Sequence, residues 1–228
     1  MECKFTGKVE RVWDENDRVK NIRLQVPEEF SFLPGQYLFA DIVIDGRQLF
    51  RAYSIASSPH LKGLIDLCVT RVKGGPASNF LHNLKKGDEL ALRGPVGTFV
   101  LKKAPGPILF FAAGSGVAPF RSMIHFALEE GWKNDIHLIF GMRTEKDILY
   151  RKEWDGLKKH KNFHPLFTFS RQEGAETGYV QTKVQRFVLM KETAQVYICG
   201  LGKMVLETKD ALVDSGFPEK HIFSERYD

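Results

Sequence analysis

Cysteine is scarce: Cys3, Cys68 and Cys199 are the only three in 228 residues, and no two stand at CxxC spacing. Neither a disulfide framework nor a zinc or iron–sulfur ligand set can be read from such spacing. No metal site is expected here, and any iron–sulfur centre this chain serves is expected on another protein. Long apolar runs are missing too. No stretch reaches the roughly 18 consecutive apolar residues that a bilayer-spanning helix needs, and the opening MECKFTGKVE lacks the apolar core of a signal peptide. The expectation is a cytoplasmic chain without membrane insertion. Charge of one sign is not concentrated. A net charge of +5 could suit nucleic acid, a membrane surface or an acidic protein. The basic residues often stand beside acids, as in EKDILYRKEWD, and a solvated surface explains them equally well. A nucleic-acid partner is not expected.

What is present is enough apolar residue, 43%, to build one large core or two of ordinary size. From Phe5 to about Val100 short alternating segments recur: KFTGKVERVW, VKNIRLQV, QYLFADIVI, LIDLCVTRV and DELALRG. Alternation of this period marks strands, and the turn residues at 14 to 17, Pro34-Gly35, Asp45-Gly46, Lys62-Gly63 and Lys86-Gly87-Asp88 space them for an antiparallel barrel. One helix interrupts, with Ser78 as the expected N-cap before NFLHNL. After Ala104-Pro105-Gly106-Pro107 the texture changes. PILFFAAG, DIHLIFGM, PLFTFS, QVYICG and HIFSERY read as buried strands, and FRSMIHFALEE, ILYRKEWDGLKKH, QTKVQRFVLM and KMVLETKDALVD as the helices between them. That alternation predicts a parallel sheet covered on both faces, with its ligand site at the carboxyl ends of the strands. The predicted organisation is two domains: an antiparallel β-barrel over 1–104, then an α/β nucleotide-binding domain over 105–228.

Five short motifs carry the candidate chemistry. Arg51-Ala52-Tyr53-Ser54 and the small residues after it end a strand. A planar arginine can fork onto a phosphate, a tyrosine offers a ring face, and small hydroxyl residues let a flat ring approach the backbone, a set that suits a flavin nucleotide. A strand end with a surface arginine and a half-buried tyrosine is the plain alternative. Gly74-Gly75-Pro76-Ala77-Ser78 precedes a helix, where backbone N–H groups attract an anion; an ordinary capped turn explains the same letters. Gly114-Ser115-Gly116-Val117-Ala118-Pro119 links a strand to a helix at the first crossover, where a parallel sheet holds a dinucleotide pyrophosphate. Pro119 replaces the third glycine of the usual dinucleotide fingerprint and suits the first turn of a helix. Cys199-Gly200-Leu201-Gly202 follows a strand, so the cysteine would face the ligand crevice; a small core residue in a tight turn is the alternative. Glu225-Arg226-Tyr227-Asp228 could cap a ring system or be a frayed polar tail.

Taken in order, RAYSIASS, GGPAS, AAGSGVAPFRS, FTFSRQ, VYICG and SERY resemble the ferredoxin–NADP reductase family over nearly the whole chain. The resemblance implies FAD held mainly by the barrel, a nicotinamide dinucleotide held by the second domain, and the flavin between them. It implies hydride transfer to flavin N5 and release of electrons to an acceptor. Arg51 would contact the FAD phosphates, Tyr53 would pack on the flavin or ribityl chain, and Ser54 would hydrogen-bond near N5. Gly74, Gly75 and Ser78 would hold the flavin pyrophosphate. Gly114, Gly116 and Pro119 would shape the coenzyme's pyrophosphate turn. Cys199, with Gly200 behind it, would border the nicotinamide, Glu225 would organise the reacting edge, and Tyr227 would stack on the flavin. Ser170 and Arg171 match the family's 2′-phosphate contacts and Tyr179 its adenosine contact, which favours NADPH. Thr177-Gly178 stands where a lysine would precede that tyrosine, which leaves NADH open. One residue, Asp228, follows Tyr227, whereas part of the family ends on the aromatic.

The resemblance implies an FAD-dependent NAD(P)H reductase serving an acidic protein such as a ferredoxin or flavodoxin, or an oxygenase component. A reductase of free flavin or small acceptors is the alternative enzyme. A dinucleotide-binding subunit without turnover is the non-enzymatic one.

Overall fold

The computed structural model describes residues 3–174 and 176–227. They form two compact units, one of Met1–Leu101 with Ala118–Ala127, the other of Lys102–Val117 with Leu128–Asp228.

In the first unit six strands run in chain order as β1 (Cys3–Asn16), β2 (Val19–Gln25), β3 (Tyr37–Ile44), β4 (Arg47–Ser54), β5 (Leu64–Thr70) and β6 (Glu89–Val96), with helix α1 (Pro76–Asn83) between the last two. They pair antiparallel in the order β4-β3-β6-β1-β2-β5. A bridge between Ile55 and Leu67 brings the two edge strands together at one corner, so the sheet curls into a partly closed barrel. Alternation does the sorting. In β3, Leu38, Ala40 and Ile42 are buried while Phe39, Asp41 and Val43 face outward. Leu24, Ile65, Leu67, Val69 and Leu92 complete a core with α1's Leu81. Each such side chain contributes roughly 1.5–3 kcal/mol by leaving water.

Five of these strands lie in the alternating segments, and the sixth, β4, carries the strand end expected at Arg51–Ser54. As an edge strand it is exposed on both faces for most of its length, so its residues show no in–out alternation. Helix α1 starts earlier than its spacing suggests. Gly75 is its N-cap and Pro76 its first residue, because a proline needs no N–H partner in the first turn. Ser78 therefore sits inside the helix and is not the cap.

In the second unit five parallel strands, β7 (Ile108–Ala113), β8 (Ile136–Met142), β9 (Phe163–Phe169), β10 (Gln195–Leu201) and β11 (Ile222–Tyr227), lie in the order β11-β10-β7-β8-β9. The order reverses between β7 and β10, and a crevice opens beyond the carboxyl ends of strands at such a switch point. One face of the sheet packs Leu109, Phe111, Ile139, Val196 and Ile198 against helix α4 (Gly202–Asp214) and the segment Val180–Met190. That segment, read from its spacing as a helix, is a 3-10 helix that still buries Val180, Val184 and Phe187. Helix α2 (Ala118–Glu129), which belongs to the first unit as far as Ala127, matches the FRSMIHFALEE reading. The ILYRKEWDGLKKH reading shrinks to α3 (Arg151–Leu157), because Tyr150 adopts a left-handed φ of 59° and the buried Trp154 donates Nε1–H to Leu149 O at 2.8 Å.

Candidate functional site

In the first unit the register of β3 and β4 sets Arg51 opposite Ala40 and Tyr53 opposite Leu38, so both side chains share the core-facing side of the edge strand. The strand's exposure leaves Arg51 in solvent while Tyr53 is half-buried. Arg51 Nη1 donates to Phe50 O at 2.8 Å, and among the described residues no carboxylate pairs with it. That leaves a planar cation able to fork onto phosphate oxygens. Burial pushes the Tyr53 phenol up to about 12 against the opposing charge of Arg51, so it presents a neutral ring.

Past the buried Ser54 the chain is fixed to β5. Ala56 N donates to Asp66 O (2.8 Å) and Asp66 N to Ser57 Oγ (3.1 Å). The Asp66 carboxylate has no exposure. Arg23 forks onto it through Nε and Nη2 (2.7 and 2.9 Å), and Arg121 Nη1 reaches it at 3.0 Å and Ala56 O at 3.0 Å. The partner's carboxylate raises the Arg23 pKa further. Sequence reading missed these three residues, since no local pattern ties positions 23, 66 and 121 together.

At the second turn Gly74 has φ +72° and open space where a side chain would stand. Ser78 Oγ accepts from Val72 N (3.0 Å) and donates to Gly75 O (3.1 Å). Its single hydroxyl proton is used within the turn, so an anion here would meet backbone N–H groups.

In the second unit the Gly114–Val117 3-10 turn follows β7. Gly114 has φ +55° beside open space, while a β-carbon on Gly116 would collide with the Cys199 carbonyl and lie 2.7 Å from Gly200 Cα. Only glycine lets this turn rest on the backbone at Cys199-Gly200. The open side of Gly114 leaves room at the turn for a group that approaches the backbone closely. Pro119 is the second residue of α2 and is buried.

Parallel pairing puts Cys199 beside Glu225 and Ala112, and Leu201 beside Tyr227. Cys199, Glu225 and Tyr227 therefore lie on one face, and the Tyr227 hydroxyl hydrogen-bonds the Cys199 sulfur. Burial pushes the thiol well above the ordinary cysteine range, the Glu225 charge pushes it further, and the Tyr227 bond opposes both. A thiolate fraction falls tenfold for each unit by which the pKa rises. Iodoacetamide at pH 8 is accordingly expected to leave Cys199 unmodified in the folded chain while labelling the exposed Cys3, as peptide mass mapping would register. Labelling of both at one rate would refute the burial argument. Asp228, the residue noted after Tyr227, lies outside the described residues.

Beyond β8 and β9 the two chains stay paired: Ser170 N donates to Met142 O and Arg171 N to Arg143 O, both at 2.9 Å. This sets Arg143 beside Arg171, both exposed, with Ser170 next to them. Arg143 was absent from the sequence reading; its position just past a parallel strand's carboxyl end was the available signal. The chain then returns to β9 through Phe169 N to Glu176 O (3.0 Å) and Gly178 N to Phe169 O (2.8 Å), leaving Tyr179 62% exposed. A lysine stands four residues after Tyr179. The buried Lys183 sends Nζ to Thr177 O at 2.9 Å, and with Arg186 it pairs the Glu176 carboxylate.

These two units and their turns match known families in the same order. Residues 7–101 match the oxidoreductase FAD-binding domain and residues 110–210 the oxidoreductase NAD-binding domain. The protein is an oxidoreductase that uses FAD and a nicotinamide dinucleotide. It is 38% identical over 213 residues to ferredoxin–NADP reductase B of Sorangium cellulosum, a match spanning 87% of this chain and 86% of that protein. The chain belongs to the ferredoxin–NADP reductase family. It is also 30% identical to the toluate 1,2-dioxygenase electron transfer component of Pseudomonas putida, covering 87% of this chain and 60% of that one; it spans less than two thirds of several such relatives. In fold it superposes on an Amycolatopsis cytochrome P450 reductase with a TM-score of 0.90 at 23% identity, covering 99% of this chain and 70% of that one. A Neisseria gonorrhoeae ferredoxin NADP+ reductase solved with FAD and NADP gives 0.86 at 18% identity, covering 98% of each chain. No helix among the described residues is long and apolar enough to cross a membrane.

Proposed function

We propose that the physiological hydride donor is NADPH and that electrons leave to an acidic ferredoxin- or flavodoxin-type protein or to an oxygenase component. The observation that carries the coenzyme choice is the pairing of Arg143 with Arg171 beside Ser170 at the ends of β8 and β9, which offers two cations to a 2′-phosphate. The names of the relatives and the net charge of +5 support the acceptor class. A cytoplasmic location is part of the proposal, in keeping with three cysteines that have no disulfide spacing.

Bound FAD and the nicotinamide supply the redox chemistry; this chain binds, aligns and desolvates them. Arg51 would neutralise FAD phosphates, Tyr53 would pack against the flavin or ribityl chain, and Ser54 would hydrogen-bond near N5. The Gly74-Gly75 turn would hold the flavin pyrophosphate; its Gly75 N–H is donated to Val72 O at 3.0 Å, and Ser78 shapes the turn from within. Gly114, Gly116 and Pro119 would form the coenzyme pyrophosphate turn, and Tyr179 would meet the adenosine. Cys199, Gly200, Glu225 and Tyr227 line the nicotinamide end. A thiol held neutral by burial excludes water without competing as a nucleophile. The functional boundary is placed at 1–104 and 105–228, near the change of compact unit at Leu101 and Lys102.

Purified protein should be yellow, and anaerobic NADPH should bleach it faster than NADH does. A colourless protein, or a yellow one bleached by neither, would sink this reading. Arg171→Ala is expected to raise KM for NADPH about 10- to 100-fold, the equivalent of losing one charge-assisted contact of ~1.5–3 kcal/mol, and to leave NADH within about twofold. An equal loss for both coenzymes would remove the phosphate argument.

A further inference from the structure

Arg171 and Tyr179 stand at the two ends of the return segment that follows β9, and a dense set of bonds fixes the residues between them. Thr177 bridges to Phe169 in parallel. Phe169 N donates to Glu176 O (3.0 Å) and Gly178 N to Phe169 O (2.8 Å). The buried Thr168 Oγ1 donates to Gly178 O at 2.8 Å and lies 2.9 Å from Glu176 O. The carbonyl between those two, Thr177 O, accepts from Lys183 Nζ at 2.9 Å. The Thr177 hydroxyl reaches back to Gly174 O (2.8 Å) and to Gln172 O (2.9 Å), the residue after Arg171. Thr177 is therefore the junction between the two proposed coenzyme contacts, and Lys183 is what holds its carbonyl.

Lys183 is 7% exposed and is the one buried lysine among the described residues. It sits on the Val180–Met190 3-10 segment between Val180 and Val184, both of which belong to the apolar core. Its Nζ also lies 3.5 Å from Glu176 Oε2, while Arg186 Nη1 holds Glu176 Oε1 at 3.0 Å. Taking an ammonium out of water is costly, and a buried ion pair often adds nothing over apolar side chains of similar volume. Core packing therefore does not call for lysine at 183. What the ammonium adds is direction, because it fixes one backbone carbonyl two residues before Tyr179.

We propose that Lys183 is a positioning residue for the adenosine end of the coenzyme: by holding Thr177 O it keeps Arg171 and Tyr179 in fixed register for one adenosine 2′-phosphate. This rests on the reading that Arg171 meets the 2′-phosphate and Tyr179 the adenosine. A segment correctly placed only about a tenth of the time binds its ligand about tenfold more weakly, with every contact intact.

The test uses the full chain carrying FAD, with Lys183→Met, Thr177→Val and Arg171→Ala. Phe187→Leu is the control, since it loosens the packing of the same 3-10 segment on Phe111 and His137 and leaves Thr177 alone. Calorimetry gives the Kd of adenosine 2′,5′-bisphosphate for the oxidised protein. Rapid mixing gives half-saturation and limiting rate of flavin reduction by NADPH and by NADH. Lys183→Met should raise the bisphosphate Kd and the NADPH half-saturation about tenfold and that for NADH about threefold, with the limiting rate within about twofold. Thr177→Val, at an exposed position, should give the same pattern at about threefold, as for one lost hydrogen bond. In the Arg171→Ala background, Lys183→Met should weaken NADPH and NADH by one common factor, since no cation at 171 is left to position. Phe187→Leu should lower the melting temperature and leave the bisphosphate Kd unchanged. Wild-type bisphosphate affinity in Lys183→Met, a slower limiting rate at unchanged half-saturation, or an equal loss in Phe187→Leu overturns the proposal. If Lys183→Met does not fold, Thr177→Val decides, and wild-type affinity there overturns it. Should Arg171→Ala alone lose both coenzymes equally, the 2′-phosphate reading fails and takes the proposal with it; should Arg171→Ala discriminate while Lys183→Met does not, the proposal alone fails.

Discussion

Arg51→Ala is expected to yield protein that purifies with little or no FAD. The Arg51 guanidinium is exposed at the end of an edge strand and hydrogen-bonds a backbone carbonyl rather than a carboxylate, so its charge is at the disposal of a phosphate. Removing one charged hydrogen-bonding partner costs about 1.5–3 kcal/mol, and a bidentate contact doubles the bonds lost. FAD affinity should fall at least ~100-fold. Arg51→Lys should recover only part, because a point charge cannot reproduce the planar fork. The fold should survive, since Arg51 contributes no core packing. The measurement is the ratio of flavin absorbance to protein absorbance after gel filtration, with a fluorescence titration of added FAD. Full retention of flavin in Arg51→Ala would remove Arg51 from the site.

The second large effect is expected from Gly116. Any β-carbon there meets the Cys199 carbonyl and Gly200 Cα, which are backbone atoms of a central strand and have nowhere to go. Overpacking against a rigid neighbour costs about 1–3 kcal/mol, and a displacement near 1 Å at a reacting site can cost ~100-fold in rate. Gly116→Val should therefore reduce kcat/KM for NADPH by about 100-fold or more, while FAD content stays near that of the parent because the flavin residues lie in the other unit. Gly156→Ala is the matching control: it sits in helix α3 with open space around its α-carbon, and alanine there should be neutral or stabilise by up to ~1 kcal/mol. If Gly116→Val reduces FAD by NADPH at the parental rate, the close approach of the two turns has no functional weight.

Much of the architecture was legible in the chain because each half advertises its own period. Leu38, Ala40 and Ile42 alternate with outward residues in an antiparallel sheet that has one covered face, and continuous runs such as ILFFAA mark strands buried on both. Where a residue lacks that environment the signal fades. Arg47–Ser54 is legible only as a strand end at Arg51–Ser54, because an edge position buries little and leaves no alternation, and the Val180–Met190 segment passes for an α-helix because three-residue and four-residue spacings bury nearly the same side chains. Ser78 was misplaced for a local reason, the ability of Pro76 to open the helix two residues earlier.

The candidate site divides along the same line. The amino-acid sequence by itself determined the order of the motifs, hence the family, the two cofactors and the residues at each turn, because turn chemistry and strand ends are local properties of a few adjacent residues. Only the tertiary structure decided which of those residues meet. Strand register set Cys199 beside Glu225 and brought Tyr227 to the Cys199 sulfur. Pairing beyond β8 and β9 added Arg143 to Arg171, and barrel closure gathered Arg23, Asp66 and Arg121 from three distant stretches around the backbone that follows Ser54. Such contacts depend on pairing between segments tens of residues apart, and the energies that select them, burial and desolvated charge, exist only once the chain has folded.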